Sequence, residues 1–508
     1  MNASRRIIPV LLLFLTLLPS SAGADVRDVV IYYTADTHGF IFSDAKTIGL
    51  DRVAGIAGAD PDGVLLDAGD FLHGQPAALM TQGRDVVRLM KKAGYLAATV
   101  GNHEFNYLPG VLELRAREAA EPPDSMLVLS ANVFGADGAP LLPAEIEAEV
   151  NGVRVCVFGL TTPESGQSRA SAVDGLRFRN ALASGREVAA AQRRRGCELV
   201  VALTHLGSEP GTPGNSRELG ARVPDIDVVI DGHSHAALEE TLPRPDGGAA
   251  MLVSPGAHGV HLGSLTVSLD TDSGRVVDIR NRFIGPEEAQ TMGRDKALAL
   301  ELETLAAELD ARLSVPVGAL GADLPAEDRR SRLAETAFGD LCADVARSAY
   351  DDEIALINGG AIRDSLHKGA VTRGAVLRAL PFNDLVVSFE VTGQELLDVL
   401  EHGFSRLPEP SGGFPQVSGF TVRVRPSAAP GARVTGVTMA DGAPLDRAKT
   451  YTLATNAFLA DGGDGYPHFS GKRKRKAFKF MEEAFLLFIR DKDTSAYAGG
   501  PAGRIVVE

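Results

Sequence analysis

Apolar residues in the first half of the chain come in short, dense runs: Val29–Tyr33, Val64–Leu66, Ala97–Val100, Met126–Leu129, Val153–Leu160, Leu199–Leu203 and Val228–Ile230. Several are rich in Val and Ile and stop abruptly at glycine or polar residues, as buried strands do. Between them, Arg84–Ala93 and Ala181–Arg195 carry their apolar positions at helical spacing. Strand and helix in alternation predict sheets covered by helices, an α/β architecture. Leu262–Leu269 and Arg275–Ile284, split by Asp-Thr-Asp-Ser-Gly, predict an antiparallel hairpin. Asp295–Leu313 is rich in Ala, Leu and Glu, lacks Gly and Pro, and ends before Val315-Pro316, which predicts a long linking helix. A helix around Leu333–Tyr350 opens a second region, in which Pro408–Gly413 and Pro426–Gly431 read as loops.

The N-terminus follows a different pattern. Arg5 and Arg6 precede an apolar run, Ile7–Leu18, and Ala22-Gly23-Ala24 has the small-residue spacing of a cleavage site. That is the pattern of a secretory signal peptide, and the run is too short to span a bilayer. The expected division is 1–24 signal peptide, 25–289 first domain, 290–318 linking helix and hinge, and 319–508 second domain. Neither a lipid-accepting cysteine after the cleavage site nor a hydrophobic C-terminal tail is present, so the expectation is a periplasmic or secreted protein without a stable membrane anchor.

Composition narrows the classes. At roughly 100–200 residues per domain, the 508 residues allow two to four domains, and 44% hydrophobic with 23% charged residues is a globular balance. The net charge of −15 argues against a nucleic-acid polymer as partner. An anionic substrate must then be held by local cations or metals. Cys156, Cys197 and Cys342 cannot form a disulfide framework, although one bridge is possible. The cationic run Lys472–Lys476 reads as a solvated loop.

Chemistry gathers at the strand ends. Val29–Tyr33 leads to Asp36-Thr37-His38, Val64–Leu66 to Gly69-Asp70, and Ala97–Val100 to Gly101-Asn102-His103-Glu104. Leu199–Leu203 leads to His205, and Val228–Ile230 to Gly232-His233-Ser234-His235. Ligand sites of α/β sheets collect where strand ends release their loops. A lone histidine is more often structural, and Asn102 beside glycine alone would be a turn residue. Five such clusters together point to a metal site. His73, His258, His261, His367, His402 and His468 lack this context.

The order Asp-x-His, Gly-Asp, Gly-Asn-His-Glu, His, Gly-His-x-His resembles the calcineurin-like metallophosphoesterases, and specifically their exported 5′-nucleotidase branch, over nearly the whole mature chain. The resemblance implies an N-terminal four-layer α/β/β/α sandwich, a linking helix and a C-terminal α+β substrate-binding domain. It implies two divalent metal ions (Zn, Mn, Fe or Co), one held by Asp36, His38 and His235, the other by Asn102, His205 and His233, with Asp70 bridging. It implies that His103 faces the phosphate. The aspartate that usually partners this histidine is Asn106 here, and an amide can orient an imidazole but cannot favour the imidazolium. Gly-Asn-His-Glu-Phe-Asn also resembles the cyclic-nucleotide phosphodiesterase branch.

In the second region, Arg332, Asn358-Gly359-Gly360-Ala361-Ile362-Arg363, Leu380-Pro381-Phe382-Asn383, Gly413-Phe414-Pro415-Gln416-Val417-Ser418-Gly419 and Asn456-Ala457-Phe458 through Gly463-Asp464-Gly465-Tyr466 resemble the substrate-binding domain of 5′-nucleotidases. By that resemblance Phe414 and Phe458 sandwich a nucleobase, Asp464 binds ribose hydroxyls, and Arg332, Asn358 and Arg363 bind ribose or phosphate. Asp461 replaces a usual Asn and adds negative charge near the ligand. The implied function is a secreted metal-dependent phosphohydrolase of nucleoside 5′-monophosphates, with diphosphates or nucleotide sugars as further substrates. The rivals are a 2′,3′-cyclic-nucleotide phosphodiesterase with 3′-nucleotidase activity, and a non-catalytic nucleotide-binding or adhesion protein. Because metal and base sites lie on either side of the linking helix, a domain rotation is expected, with its hinge at Leu313–Leu320.

Overall fold

Two six-stranded sheets stack face to face in the first domain. Across one the order is Arg275–Ile284, Leu262–Asp270, Val26–Thr34, Gly63–Asp67, Tyr95–Thr99, Leu127–Leu129. Across the other it is Ala237–Pro243, Ala249–Pro255, Val228–Asp231, Leu199–His205, Val153–Thr161, Glu145–Val150. The central strands of both pair in parallel, and the hairpin Leu262–Asp270/Arg275–Ile284 extends the first sheet antiparallel. Parallel strands are covered on both faces and must be apolar on both; every residue of Leu199–His205 is buried. Val29, Ile31 and Leu66 of one sheet pack against Val157, Val201 and Val228 of the other. Helices Leu50–Ala57, Arg84–Lys92 and Val111–Ala120 cover one outer face, and Ala181–Arg194 with Ser216–Arg222 cover the other. The result is the four-layer α/β/β/α sandwich.

This computed structural model describes residues 26–508 except 108–109, 164–172, 174, 210–211, 246, 271, 327–328, 383 and 471. The signal-peptide segment lies outside the described residues. Cys156 and Cys197 form a disulfide with Cα atoms 5.9 Å apart, joining a sheet strand to the turn after helix Ala181–Arg194. Cys342 is free and buried.

The linking helix spans Lys296–Leu313, and the Asp295 side chain caps it by accepting the Leu298 N–H at 2.8 Å. Leu298, Leu302, Leu305 and Leu309 recur at helical spacing and pack into the core of the first domain. The expected hinge at Leu313–Leu320 falls across the end of this helix and the strand that follows it. Pro316–Leu320 is a strand paired antiparallel with Gly369–Thr372, so its backbone is tied into the second domain. Proline is tolerated at the first position of such an edge strand because no ladder N–H is needed there. Ser314 and Val315 are what remains between helix and strand.

The second domain centres on a five-stranded sheet in the order Pro415–Ser418, Ile354–Asn358, Thr450–Asn456, Leu385–Thr392, Lys476–Phe480. Helix Ala337–Tyr350, capped by Thr336, packs on one face, and Gly393–Gly403 packs on the other. Ile354–Asn358 and Thr450–Asn456 are parallel, so Asn358 and Asn456 finish side by side. Lys472–Arg475 is a loop, as expected, with Arg473, Arg475 and Lys476 exposed, but it is more than a solvated run. Lys472 pairs with Glu395 at 2.8 Å, Lys474 with Asp461 at 2.6 Å and Arg475 with Asp352 at 3.5 Å. Those acids come from other elements of the domain, so the run fastens a chain segment.

Candidate metal centre and substrate cleft

All seven expected metal ligands converge where the parallel strands of the two sheets end. Six histidines and aspartates in this group take left-handed backbone conformations: Asp36, His38, Asp70, His233, His235 and, unforeseen, His258, with φ between 46° and 79°. Each such residue costs of order 1–3 kcal/mol and persists only where its surroundings over-determine it. Here the backbone is pinned. Asp36 N–H donates to Gly69 O and His38 N–H to Asp70 O, both at 2.9 Å, and His258 N–H donates to Asp36 O at 2.8 Å.

Asp36, Asp70 and His205 are buried. His205 Nε2 lies 3.2 Å from Asp70 Oδ2 and 3.8 Å from Asp36 Oδ1. Its Nδ1 faces the Ala68 carbonyl at 2.7 Å, while Nε2 has no hydrogen-bond partner. His38 Nε2 is 3.2 Å from His235 Nε2, His235 Nε2 is 3.4 Å from Asp36 Oδ1, and His233 Nδ1 is 2.9 Å from Asn102 Oδ1. Two nitrogens on one zinc ion, each about 2.0–2.1 Å from it, stand about 3.3 Å apart. An orphaned buried nitrogen facing two carboxylates, with acceptors converging at ligand spacing, fits a divalent cation. The electrostatics agree. Burial pushes Asp36 well above the usual carboxylate range. Burial would lower His205, but Asp70 and Asp36 outweigh it and hold it well above the usual histidine value. Burial pushes His38 down to about 3 and His233 to about 4, so these rings stay neutral with nitrogen lone pairs available to a cation.

Glu104 organises this centre from beneath. Its Oε1 accepts the N–H groups of Phe71 and Leu72, each at 2.9 Å, and its Oε2 accepts those of Asp70 at 2.9 Å and Gly101 at 2.7 Å. Burial, and then the charge of Asp70, push Glu104 up to about 7. His103 N–H donates to Asp70 Oδ1 at 2.8 Å, and its ring stacks on His73 with centroids 5.6 Å apart.

A cleft of about 380 Å³ opens beside His103, and both domains line it. Asn102, His103 and Asn106 come from the first domain; Arg332, Asn358, Arg363, Phe458 and Asp464 come from the second. The two halves of the expected site therefore already share one cavity. Asn456 Nδ2 donates to Asn358 Oδ1 at 2.9 Å, and Asn358 Nδ2 donates to Asp464 Oδ2 at 3.0 Å. Burial pushes the Asp464 carboxyl up. Burial, then the neighbouring Arg332 and Arg329, push Arg363 down, as expected of cations crowded around an anion site.

Two expectations fail here. Phe414 does not line the cleft. It is 3% exposed and sits in the core with its ring edge-on to Phe404, centroids 5.4 Å apart. Its carbonyl accepts the Gly359 N–H at 2.7 Å as the chain enters strand Pro415–Ser418. Phe382 lines the cleft in its place, with the Arg363 guanidinium 5.5 Å from its ring centroid. Asp461 adds no free charge near the ligand, because it is 6% exposed and paired with Lys474. Phe382, Glu104 and His258 are the residues whose roles the sequence reading missed. The first two stand inside motifs already noticed. His258 follows strand Ala249–Pro255, whose apolar run Ala249–Val253 is the signal that could have found it.

Residues 29–237 match the model of the calcineurin-like phosphoesterases, and residues 315–471 that of the 5′-nucleotidase C-terminal domain. The chain is 28% identical over 482 residues to the trifunctional nucleotide phosphoesterase protein YfkN of Bacillus subtilis, covering 87% of this chain and 32% of that protein. It thus spans about a third of the length of that relative. Against the snake venom 5′-nucleotidase of Crotalus adamanteus it is 27% identical, with 89% of this chain and 84% of the other covered. The crystal structure of a 5′-nucleotidase precursor from Thermus thermophilus superposes with a TM-score of 0.70 at 26% identity, covering 95% of this chain and 99% of that one. With both halves matched and the fold shared from end to end, the chain belongs to the calcineurin-like metallophosphoesterases that carry a 5′-nucleotidase C-terminal domain.

Proposed function

We propose that the protein is an exported, metal-dependent phosphohydrolase that releases phosphate from nucleoside 5′-monophosphates, and from diphosphates or nucleotide sugars where the cleft admits them. The observation that carries this reading is the single cleft lined by Asn102 and His103 of the metal centre and by Phe458 and Asp464 of the second domain. Asp36, His38 and His235 would hold one divalent ion and Asn102, His205 and His233 a second, with Asp70 shared, and ions bound there would supply Lewis-acid polarisation of the phosphoryl group and acidification of water. Zn, Mn, Fe or Co suits this mixture of imidazole, carboxylate and amide. Arg332 and Arg363 hold phosphate or ribose oxygens through guanidinium forks. Asp464, fixed by Asn358, accepts from ribose hydroxyls. Phe458 and Phe382 offer faces to a base, at about 1–3 kcal/mol per stacked base. The Asn106 amide donates to Nδ1 of His103, so the neutral ring carries its proton on Nε2 and can donate to a phosphoryl or leaving oxygen.

Export is supported by the N-terminal segment and by the Cys156–Cys197 disulfide, which persists in oxidising compartments. No helix among the described residues is long and apolar enough to cross a membrane. The second reading, 2′,3′-cyclic-nucleotide phosphodiesterase, is favoured by the Asn106–His103 pair. The test is phosphate release and product identification from AMP, 2′,3′-cyclic AMP and a base-free phosphate ester, on protein reconstituted with Mn or Zn. Turnover of AMP well above the cyclic substrate supports the first reading. The reverse order selects the second, and no metal-dependent turnover of any of them refutes both.

A further inference from the structure

The loop after strand Ala249–Pro255 brings one more imidazole to the metal centre. Because that strand runs parallel to Val228–Asp231, its C-terminal end falls at the edge where the other ligand loops emerge. The loop is fastened from two sides: His258 N–H donates to Asp36 O, and Ile48 N–H donates to Gly259 O, both at 2.8 Å. The ring of His258 lies 5.6 Å from that of His38 and 5.4 Å from that of His235, centroid to centroid, with Phe40 packed against it at 4.7 Å. One ring nitrogen from each of His38, His235 and His258 lies within 4.8 Å of the other two. His258 does this from a left-handed backbone, φ 61°, where glycine would be free of strain.

The geometry points to His258 as a further ligand of the first metal, completing a three-imidazole face beside Asp36. This rests on the metal-centre reading above. The consequence is selectivity. A third imidazole replaces a hard water oxygen by a borderline nitrogen donor, which favours Zn, Co or Fe over Mn or Mg. The other site, with two imidazoles and the Asn102 amide, lacks that bias, so the two positions differ in metal preference and in exchange rate.

The test uses the mature protein stripped of metal and titrated with Zn or Mn alone, with stoichiometry by elemental analysis and affinity by chelator competition. His258→Gly removes the ring and suits the positive φ; His258→Asn keeps a small polar side chain that also tolerates it. Apo melting temperatures no lower than wild type establish that both variants fold. The expected result is two ions in wild type and at least about a tenfold loss of Zn affinity at the tighter site in both variants, a loss that even outer-shell partners can cause. Mn affinity should change less, so the Zn-to-Mn preference falls. Two ions bound with an unchanged Zn-to-Mn preference overturns the ligand role of His258 alone. Fewer than two ions in the wild type overturns the metal-centre reading with it.

Discussion

The side-chain amide of Asn106 lies 2.6 Å from Nδ1 of His103, in the position from which a carboxylate would stabilise an imidazolium. An amide nitrogen only donates, so this contact orients a neutral ring and does nothing for its protonated form. Asn106→Asp should move the limb of the pH–rate profile that reports His103 to higher pH. His103→Ala should lower kcat by about 10²–10⁴, the range of general acid–base help. A rise in KM at constant kcat would assign His103 to binding.

Asp70 is expected to serve both metal positions. Its carboxylate stands 3.2 Å from His205 and 3.9 Å from His38, and it accepts the N–H of His103. Asp70→Asn should lower metal content and turnover together, with the second ion lost first on dialysis. Full turnover with two ions retained would refute the bridging role.

The aromatic residues of the second domain should separate by their surroundings. Phe382→Ala and Phe458→Ala should weaken nucleotides and leave a base-free phosphate ester nearly unaffected, because both line the cleft. Phe414→Ala should instead destabilise the protein by about 3–5 kcal/mol, the cost of emptying a buried phenylalanine site. Steady-state kinetics on both substrate classes and denaturant melts distinguish the two patterns.

Glu482 predicts a pH-dependent stability. Burial pushes its carboxyl from an ordinary value of 4.5 up to about 7, and Glu483 and Asp384 add to the shift against Arg373. The folded state therefore binds this proton more tightly than the unfolded chain. The associated stability is fully present below pH 4.5 and is lost as pH rises through about 7. Glu482→Gln, neutral at all pH, should melt several degrees higher than wild type at pH 8, since moving a carboxyl from 4.5 to about 7 carries on the order of 3 kcal/mol. The difference should vanish at pH 4.5. An equal difference at both pH values would show that ionisation is not the cause.

Strand-end chemistry was legible in the sequence because it is local. An apolar run that stops at Asp36, Asp70, Asn102, His205 or His233 carries both the buried strand and the loop that leaves it, and neither depends on distant residues. The linking helix was legible for the same reason. What tertiary structure decided concerns residues far apart in the chain. The strand Ala249–Pro255 carries the apolar run Ala249–Val253, but its place beside Val228–Asp231 comes from sheet pairing, and with it the arrival of His258 beside His38 and His235. Lys474 is one cation in a run until Asp461, from another element, meets it. Phe414 and Phe382 both adjoin proline, and composition cannot say which faces the cleft. Phe414 turns into the core just before strand Pro415–Ser418, whereas Phe382 sits in the connection between helix Arg373–Ala379 and strand Leu385–Thr392 at the cleft wall, and only the packing of those separate segments decides between them.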